Sequence, residues 1–219
     1  MYANLISQLG SALRSVAEAE RAPAMRAYMR DQFAFLGVPT PQRRSACKPL
    51  LQTLKAESPE QLLQLATRLW GEVEREYQYV AIDLLALHWK RFDASHLPAL
   101  LALAQQKSWW DSVDSLISVI SDVLRHQHNS MDAAIGHDNF WVRRIALLHQ
   151  LGWRDQTDTE RLYDYVLQCA HEQEFFIQKA IGWALRDYAR HDPQAIRSFT
   201  ECHRQQLAAL SYREASKHL

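Results

Sequence analysis

The apolar residues of this chain recur every three or four positions almost from end to end, which is the spacing of one helix face. No segment alternates apolar and polar residues with the period of two that is typical of strands. Six glycines and seven prolines leave few breaks. The pattern predicts helices over residues 4–19, 23–34, 58–70, 74–91, 93–106, 109–126, 140–151, 157–171, 175–190, 193–207 and 212–218, with a further helix opening at Thr40. Ser58, followed by Pro59, Glu60 and Gln61, is an N-cap signature at the start of the helix predicted over 58–70.

Short connections join these helices, which pair at intervals of roughly 35–40 residues. This organisation predicts an all-α fold, an α-solenoid of HEAT-like helix pairs. A closed helical bundle is the alternative, but it would require fewer and longer helices. No change in composition marks a linker, so residues 1–219 are expected to form a single domain.

The composition, 47% hydrophobic and 23% charged, is ordinary for a soluble protein with a sizeable core. No apolar run approaches the roughly 18 residues of a membrane span, and Met1–Ile6 does not look like a secretory signal. Cys47, Cys169 and Cys202 are too widely spaced for a disulfide framework or a metal motif, which favours reduced cytosolic thiols. Arg125–Asn129 holds two histidines, but without a second motif it does not predict a metal site.

The charges are unevenly spread although the formal net charge is zero, a balance that argues weakly against a partner as acidic as DNA. Residues 21–55 carry seven basic side chains against Asp31 alone, and residues 175–219 carry seven against four acidic ones. If both ends line one groove, that groove is basic on a neutral protein. Solvated helix faces are the simpler explanation of the same charges.

The segment Trp109–Asp114 combines two indoles with two carboxylates. Trp110 and Asp114 are one helical turn apart, so an indole and a carboxylate share a face. The pairing is poor for packing, because the ring costs the carboxylate hydration. It suits a site for a cation-like group, since both side chains attract positive charge. Alternatively, Asp114 caps a neighbouring helix or pairs with an arginine, and Trp109 is expected to be a core residue. The core stripe of this helix is predicted to be Val113, Ile117, Ile120 and Leu124.

Arg144 shares a helix face with Leu147 and Leu148, so its guanidinium emerges from an apolar stripe. A half-buried arginine needs an anion, either a carboxylate such as Asp114 or a phosphate. Arg143 faces another way and is a second candidate for a phosphate contact. An interhelical salt bridge explains the same residues equally well.

Lys179, Trp183, Arg186 and Arg190 recur at helical spacing as a basic stripe interrupted by an indole, with Phe176 one turn earlier. An indole flanked by cations on its own face favours a surface that meets nucleic acid. Gly182 inside this helix costs about 1 kcal/mol relative to alanine, which indicates close approach of another backbone. A packed tryptophan with solvated neighbours is the alternative.

Thr40 is expected to be an N-cap, with Pro41 at the first helical position. Arg43 and Arg44 follow in the first turn, and a capped helix N-terminus with two arginines is a natural seat for phosphate. Tyr28 lies in the preceding predicted helix.

Several uncommon motifs occur together in a defined order over nearly the whole chain. They are Phe35–Pro41, Arg75–Tyr79, Trp109–Asp114, Trp141–Arg144, Phe175–Trp183 and Arg213–Ala215. In this order they resemble the AlkD-like DNA alkylation repair family, bacterial alkylpurine DNA glycosylases built from HEAT-like repeats. The resemblance implies a solenoid curved around a DNA-binding groove. It also implies hydrolysis of the N-glycosidic bond of cationic N3- and N7-alkylated purines, such as 3-methyladenine and 7-methylguanine, in base excision repair and without base flipping.

By this resemblance, Asp114 is the catalytic carboxylate, which stabilises the oxocarbenium-like sugar and positions the attacking water. Trp110 and Trp183 flank it and pack on the deoxyribose, while Arg144 holds the lesion-side phosphate and orients Asp114. Tyr28 and Phe176 are expected to line the cleft. The resemblance assigns DNA-backbone contacts to Thr40, Arg43, Arg44, Arg143 and Lys179.

The resemblance calls for neither a metal nor an organic cofactor, because alkylation already makes the purine a good leaving group. The expected partner is double-stranded DNA with alkylated bases, bound by a monomer without membrane association in the bacterial cytoplasm, at the nucleoid. The competing function is a non-catalytic HEAT-like scaffold that binds DNA or protein. Such a scaffold should have lost Asp114 or Trp110, and the chain has both.

Overall fold

The computed structural model describes residues 2–125 and 127–218, and α-helices dominate this part of the chain. In chain order they are α1 (Ala3–Ser15), α2 (Ala22–Tyr28), α3 (Thr40–Gln52), α4 (Pro59–Gly71), α5 (Arg75–Leu87), α6 (Leu97–Ala104), α7 (Trp110–Leu124), α8 (Met131–Ala134), α9 (Phe140–Leu148), α10 (Thr159–Cys169), α11 (Phe175–Ala189), α12 (Pro193–Cys202) and α13 (Ala209–Ala215). Over the described residues there is no strand, only an isolated bridge between Ala34 and Glu74. The all-α prediction is confirmed.

The chain divides into two compact units, a first unit of Met1–Gln106 and a second unit of Lys107–Leu219. In the first unit α5 packs on α3 and α4, and α3 also packs on α1. In the second unit α11 contacts α9, α10, α12 and α13, and is the most connected helix. None of the helices in the described ranges is long and apolar enough to cross a membrane. The curved solenoid and the single domain stay predictions.

Several helix boundaries differ from those that the pattern predicts. The helix predicted over 23–34 ends at Tyr28, because Arg30 and Asp31 adopt left-handed φ angles of 53° and 56° that stop it. The short helix α8 lies between two predicted helices. His126, which belongs to the histidine motif and to the end of the helix predicted over 109–126, lies outside the described residues.

The prediction that Thr40 caps α3 is wrong, whereas the cap predicted at Ser58 is confirmed. Thr40 is the first helical residue, since the amide of Arg43 already donates to the carbonyl of Pro39 at 2.9 Å, which makes Pro39 the N-cap. No side-chain cap bond forms there. At α4, Ser58 Oγ accepts from the amide of Gln61 at 3.3 Å and the Gln61 side chain accepts from the amide of Ser58 at 2.7 Å, a capping box.

Glu76 holds the turn that leads into α3. Its fully buried carboxylate accepts hydrogen bonds from the amides of Leu36, Gly37 and Val38 at 3.0, 2.9 and 3.1 Å. Gly37 has a φ of 89°, and a Cβ there would lie 2.3 Å from the carbonyl oxygen of Glu18. The turn therefore requires both the glycine and the buried carboxylate.

The stripe Val113, Ile117, Ile120 and Leu124 of α7 is buried, as predicted. Leu116 and Val119 are buried beside it, so the apolar face of α7 is wide. This face places α7 against the interior of the second unit, while Asp114 stays at its flank, half-buried. The core thus decides which way the carboxylate faces.

The buried His149 and the half-buried His128 form a hydrogen-bonded chain in the same unit. His149 Nδ1 lies 2.7 Å from the carbonyl oxygen of Ala146, so this nitrogen carries the proton and Nε2 is an acceptor. His128 Nδ1 then donates to His149 Nε2 at 3.0 Å. His128 Nε2 accepts from Arg161 Nη1 at 3.3 Å. The chain is complete when both rings are neutral, and burial lowers the pKa of His149 to about 4.

Acidification is therefore expected to destabilise the protein between about pH 6.5 and about pH 4. The pKa of His149 is lower in the folded chain than its ordinary value of 6.5, so the unfolded chain binds the proton first. The stabilisation is complete above about pH 6.5 and is lost toward pH 4, by about 3 kcal/mol at most. Urea unfolding across this range measures it. If His149→Gln retains the full slope of the wild type, another group is responsible.

Gly182 permits the close packing of α11 on α13. A Cβ at this position would lie 2.3 Å from Glu214 Cβ and 2.9 Å from the carbonyl oxygen of Ser211. Ser211 Oγ also donates to the carbonyl oxygen of Gln178 at 3.0 Å, which ties the two helices together. The close backbone approach that the sequence indicates at Gly182 is thus present.

Replacement of Gly182 by alanine is expected to lower the free energy of unfolding by about 1–3 kcal/mol, the usual cost of overpacking. The gain in helix propensity, about 1 kcal/mol, offsets only part of the clash. Gly71→Ala is the matched control, because Gly71 is also a helical residue, in α4, and a Cβ there meets no atom within 4 Å. Chemical denaturation of both variants measures the difference, and equal midpoints would contradict the close packing.

Candidate active site

Asp114 of α7 and Arg144 of α9 form an ion pair at the centre of the candidate site. Arg144 Nε lies 2.7 Å from Asp114 Oδ1 and Nη2 lies 2.8 Å from Oδ2, so the contact is bidentate. The Arg144 side chain is 1% exposed, whereas the Asp114 side chain is 25% exposed. The buried arginine therefore holds the carboxylate in place, and the carboxylate exposes one edge to solvent.

Two aromatic side chains of α11 surround the guanidinium. Arg144 Cζ lies 5.1 Å from the ring centroid of Trp183 and 5.8 Å from that of Phe176. Arg144 Nη1 also donates to the carbonyl oxygen of Phe176. Residues of α7 and α11 therefore fix the arginine, and the arginine in turn fixes the plane of the Asp114 carboxylate.

A cleft of about 230 Å³ opens beside this ion pair. It is lined by Asp114, Ile117, Ser118, Ser121, Asp122, Arg125, Leu148, Leu151, Gly152 and Trp183. The carboxylate and the indole of Trp183 thus face the same open space, and both attract positive charge. Over the described residues, no group of three or more His, Cys, Asp or Glu side chains is placed to hold a metal ion.

The two tryptophans at the start of α7 have different surroundings. Trp110, the first helical residue, is half-buried one turn before Asp114. Trp109, which was expected in the core, is also half-buried. Its ring centroid lies 5.5 Å from that of Phe176 and 6.2 Å from that of Trp141. These three rings form an aromatic cluster that contacts the ion pair through Phe176, and the pattern of the sequence does not reveal it.

Arg143 points away from Arg144, as predicted from helix phase, and is held by the protein. Its Nε and Nη2 atoms lie 2.8 and 2.6 Å from the two carboxylate oxygens of Glu172. Its Nη1 donates to the carbonyl oxygens of His137 and Asp138 at 2.6 and 2.9 Å. Hydrogen bonding to Glu172 raises the pKa of Arg143. Arg143 therefore has a structural partner in addition to any DNA contact.

Lys179 of α11 likewise has a carboxylate partner, Glu214 of α13, at 3.0 Å. Its Nζ atom lies 5.4 Å from the ring centroid of Trp183. Arg186 Nη1 donates to the same carboxylate at 2.9 Å. Two cations of the basic stripe predicted along α11, Lys179 and Arg186, therefore share one buried carboxylate.

Two of the candidate DNA-binding residues of the first unit, Arg43 and Arg44, bind Asp83. Arg43 Nε and Arg44 Nε lie 3.0 and 3.2 Å from its two oxygens. The Arg43 side chain is 6% exposed and that of Arg44 is 66% exposed, so the two arginines are not equivalent. Thr40 is exposed at the start of α3, and its hydroxyl accepts from Arg43 Nη1 at 3.4 Å. Tyr28 ends α2 and is 70% exposed.

The carboxylates Asp83, Glu172 and Glu214 are the site-related residues that the pattern of the sequence does not identify. Each binds a candidate DNA-binding cation that lies far along the chain, for example 29 positions between Arg143 and Glu172. Glu214 belongs to the motif Arg213–Ala215, which is the only sequence signal for any of them.

Comparisons with known proteins show the family of this chain. A family model described as DNA alkylation repair enzyme matches residues 9–219. Among solved structures, the chain is similar to one described as a predicted DNA alkylation repair enzyme from Enterococcus faecalis. The identity is 37%, the TM-score is 0.86, and the match covers 93% of this chain and 96% of that chain. The comparison with curated proteins finds no match. Given the family match over nearly the whole chain, this protein belongs to the DNA alkylation repair enzyme family.

Proposed function

We propose that the protein is a monofunctional DNA glycosylase that removes cationic N3- and N7-alkylated purines, such as 3-methyladenine and 7-methylguanine. Water adds to C1′ of the deoxyribose, the N-glycosidic bond breaks, and its electron pair leaves with the purine, which departs as a neutral base. The proton of the water passes to solvent. The products are an abasic site and the free alkylpurine.

The observation that carries this proposal is the Asp114–Arg144 pair at the edge of the cleft. A carboxylate fixed at two points keeps its orientation when positive charge develops on the sugar, so no reorganisation is needed at that moment. Its exposed edge lines the cleft together with Trp183. Such an arrangement favours the transition state, in which the sugar becomes positively charged, over the ground state, in which the positive charge lies on the purine and the sugar is neutral.

The remaining side chains take their roles around Asp114. Trp110 and Trp183 pack on the deoxyribose of the damaged nucleotide, and Phe176 supports the site through its carbonyl contact with Arg144. No general acid is needed, because N3 or N7 alkylation already gives the purine a positive charge that it loses on departure. Neutral lesions, which need activation of the leaving group, are therefore expected to be poor substrates.

Contacts with the DNA backbone are proposed for two sets of side chains. Arg143 and Lys179 would contribute from the second unit, in addition to their ion pairs. In the first unit, Arg44 is the best placed by exposure. Tyr28, Thr40 and Arg43 complete the proposed set. The enzyme would act as a monomer on duplex DNA without base flipping or any cofactor.

The test is to incubate the protein with duplex DNA treated with a methylating agent and to measure released 3-methyladenine and 7-methylguanine by chromatography. Release of both bases, with intact strands until the abasic sites are cleaved by alkali, is expected. Binding of the methylated duplex without release would replace the glycosylase by a non-catalytic DNA-binding scaffold.

A further inference from the structure

The carboxylate of Glu214 binds three cations of the second unit. Two are on α11 and the third follows α13. Its carboxylate is 4% exposed, with Oε1 at 3.0 Å from Lys179 Nζ and Oε2 at 2.9 Å from Arg186 Nη1. Lys217 Nζ donates to both oxygens at 2.9 Å. Burial alone would raise the pKa of Glu214, but hydrogen bonds from Lys217 and Lys179 outweigh it and bring the pKa to about 2. The carboxylate is therefore charged at any pH near neutrality.

The backbone geometry brings Glu214 to this position. Gly182, the residue before Trp183, lets α13 approach so closely that an added Cβ would lie 2.3 Å from Glu214 Cβ. The hydrogen bond of Ser211 to the carbonyl oxygen of Gln178 anchors the other end of the contact. Glu214 is thus held by the helix packing, independently of its ion pairs.

Trp183 contacts two cations, and each of them has its own carboxylate. Arg144 Cζ lies 5.1 Å from the ring centroid and is held by Asp114. Lys179 Nζ lies 5.4 Å from the same centroid and is held by Glu214. Without Glu214, the three cations would repel one another, and a lysine side chain is flexible enough to turn toward solvent. The indole would then lose one of its two cationic contacts.

We propose that Glu214 is a positioning residue for Trp183, acting through Lys179, and that it thereby supports the reaction at Asp114. The part of this inference that concerns the reaction rests on the proposed function. The part that concerns the indole does not. A surface charge with no such role would act differently, since its removal would only strengthen attraction of the whole protein for DNA.

The experiment compares Glu214→Gln, Lys179→Gln and the double variant by two measurements. Labelling with 5-fluorotryptophan gives a ¹⁹F resonance for each of the seven tryptophans, and Trp183→Phe assigns the one of interest. Single-turnover excision of 7-methylguanine with enzyme in excess gives the rate of the reaction itself. Lys217→Gln is the matched control, because it removes another ion-pair partner of Glu214 that no contact joins to Trp183 in the described residues.

The expected result is a shifted or broadened Trp183 resonance in both single variants and an excision rate lowered by about tenfold. The double variant should be no slower than the slower single variant, because both act on the same contact. Lys217→Gln should match the wild type in both measurements. If Glu214→Gln fails to fold, Lys179→Gln carries the comparison.

An unchanged Trp183 resonance in Glu214→Gln and Lys179→Gln would overturn the inference, as would multiplicative losses of rate in the double variant. If the wild-type protein releases no alkylpurine, the proposed function fails. The ¹⁹F measurement then still decides whether Glu214 positions the indole.

Discussion

Asp114→Asn is expected to slow excision of 7-methylguanine by about two orders of magnitude or more, the usual cost of losing one preorganised electrostatic group. The amide keeps the size of the side chain and one acceptor oxygen for Arg144, so the fold and the lesion-DNA affinity should be retained. The free energy of unfolding should fall, because the buried Arg144 loses its charged partner. The negative charge that faces the developing sugar cation is lost. Single-turnover rates and equilibrium binding to a methylated duplex measure the two effects separately.

Asp122→Asn is the matched control for this prediction. Asp122 is on the same helix two turns later and lines the same cleft, but its cationic partner is Arg125 at 3.5 Å. Its replacement changes the charge of the cleft equally and should leave the excision rate within about twofold of the wild type, since the field of an exposed charge is screened. Equal losses of excision rate in both variants would mean that the effect depends only on the total charge of the cleft. An unaltered rate in Asp114→Asn would remove Asp114 from the mechanism.

Arg144→Ala is expected to reduce excision nearly as strongly as Asp114→Asn, because the two side chains act as one unit. The variant leaves Asp114 free to rotate and removes the donor to the carbonyl oxygen of Phe176. The free energy of unfolding should fall by about 2–3 kcal/mol, because the variant removes the buried partner of an ion pair together with its hydrogen bonds. Thermal denaturation and single-turnover excision measure the two losses.

Arg144→Lys separates charge from geometry, because lysine keeps the positive charge but offers no two-point contact to a carboxylate. The lysine variant should retain most of the free energy of unfolding and lose most of the excision rate. The salt dependence of DNA binding tests the phosphate contact that the sequence predicts for Arg144. Loss of one such contact lowers the slope of log affinity against log salt concentration by about one unit. A wild-type rate in Arg144→Ala would contradict the positioning of Asp114 by this residue.

Helix faces could be predicted from the sequence because they depend on local periodicity. The stripe from Val113 to Leu124 is buried as expected, and the same phase separates Arg143 from Arg144. The capping box at Ser58 is equally local, since its two hydrogen bonds join residues three positions apart. Such features follow from the helix alone and need no tertiary contact.

Features that depend on backbone dihedral angles were predicted less well. The helix predicted over 23–34 stops early because Arg30 and Asp31 adopt left-handed φ angles. The types of these two residues do not by themselves predict that conformation. Thr40 is a good cap by type, yet the turn held by Glu76 makes Pro39 the first acceptor of α3. In both cases the surrounding structure, and not local propensity, decides the geometry.

The candidate site also combines features that local sequence predicts with features that only tertiary contacts decide. From the residues alone, Arg144 needed an anion, with Asp114 and a phosphate as the two choices, and the structure supplies Asp114. The cations predicted to meet phosphate at Arg43, Arg143 and Lys179 each have a carboxylate in the protein. Those partners lie roughly 30–40 positions away, beyond the range of any periodicity.

The sequence by itself determined that the chain is helical, which helix faces are apolar, and that its ordered motifs belong to the DNA alkylation repair enzyme family. The tertiary structure alone decided which charges meet. It buries Arg144 under Asp114 and brings Glu214 to Lys179 beside Trp183. The physical reason is that periodicity fixes where a side chain points on its own helix, whereas an ion pair between helices depends on how closely two backbones approach, as Gly182 permits.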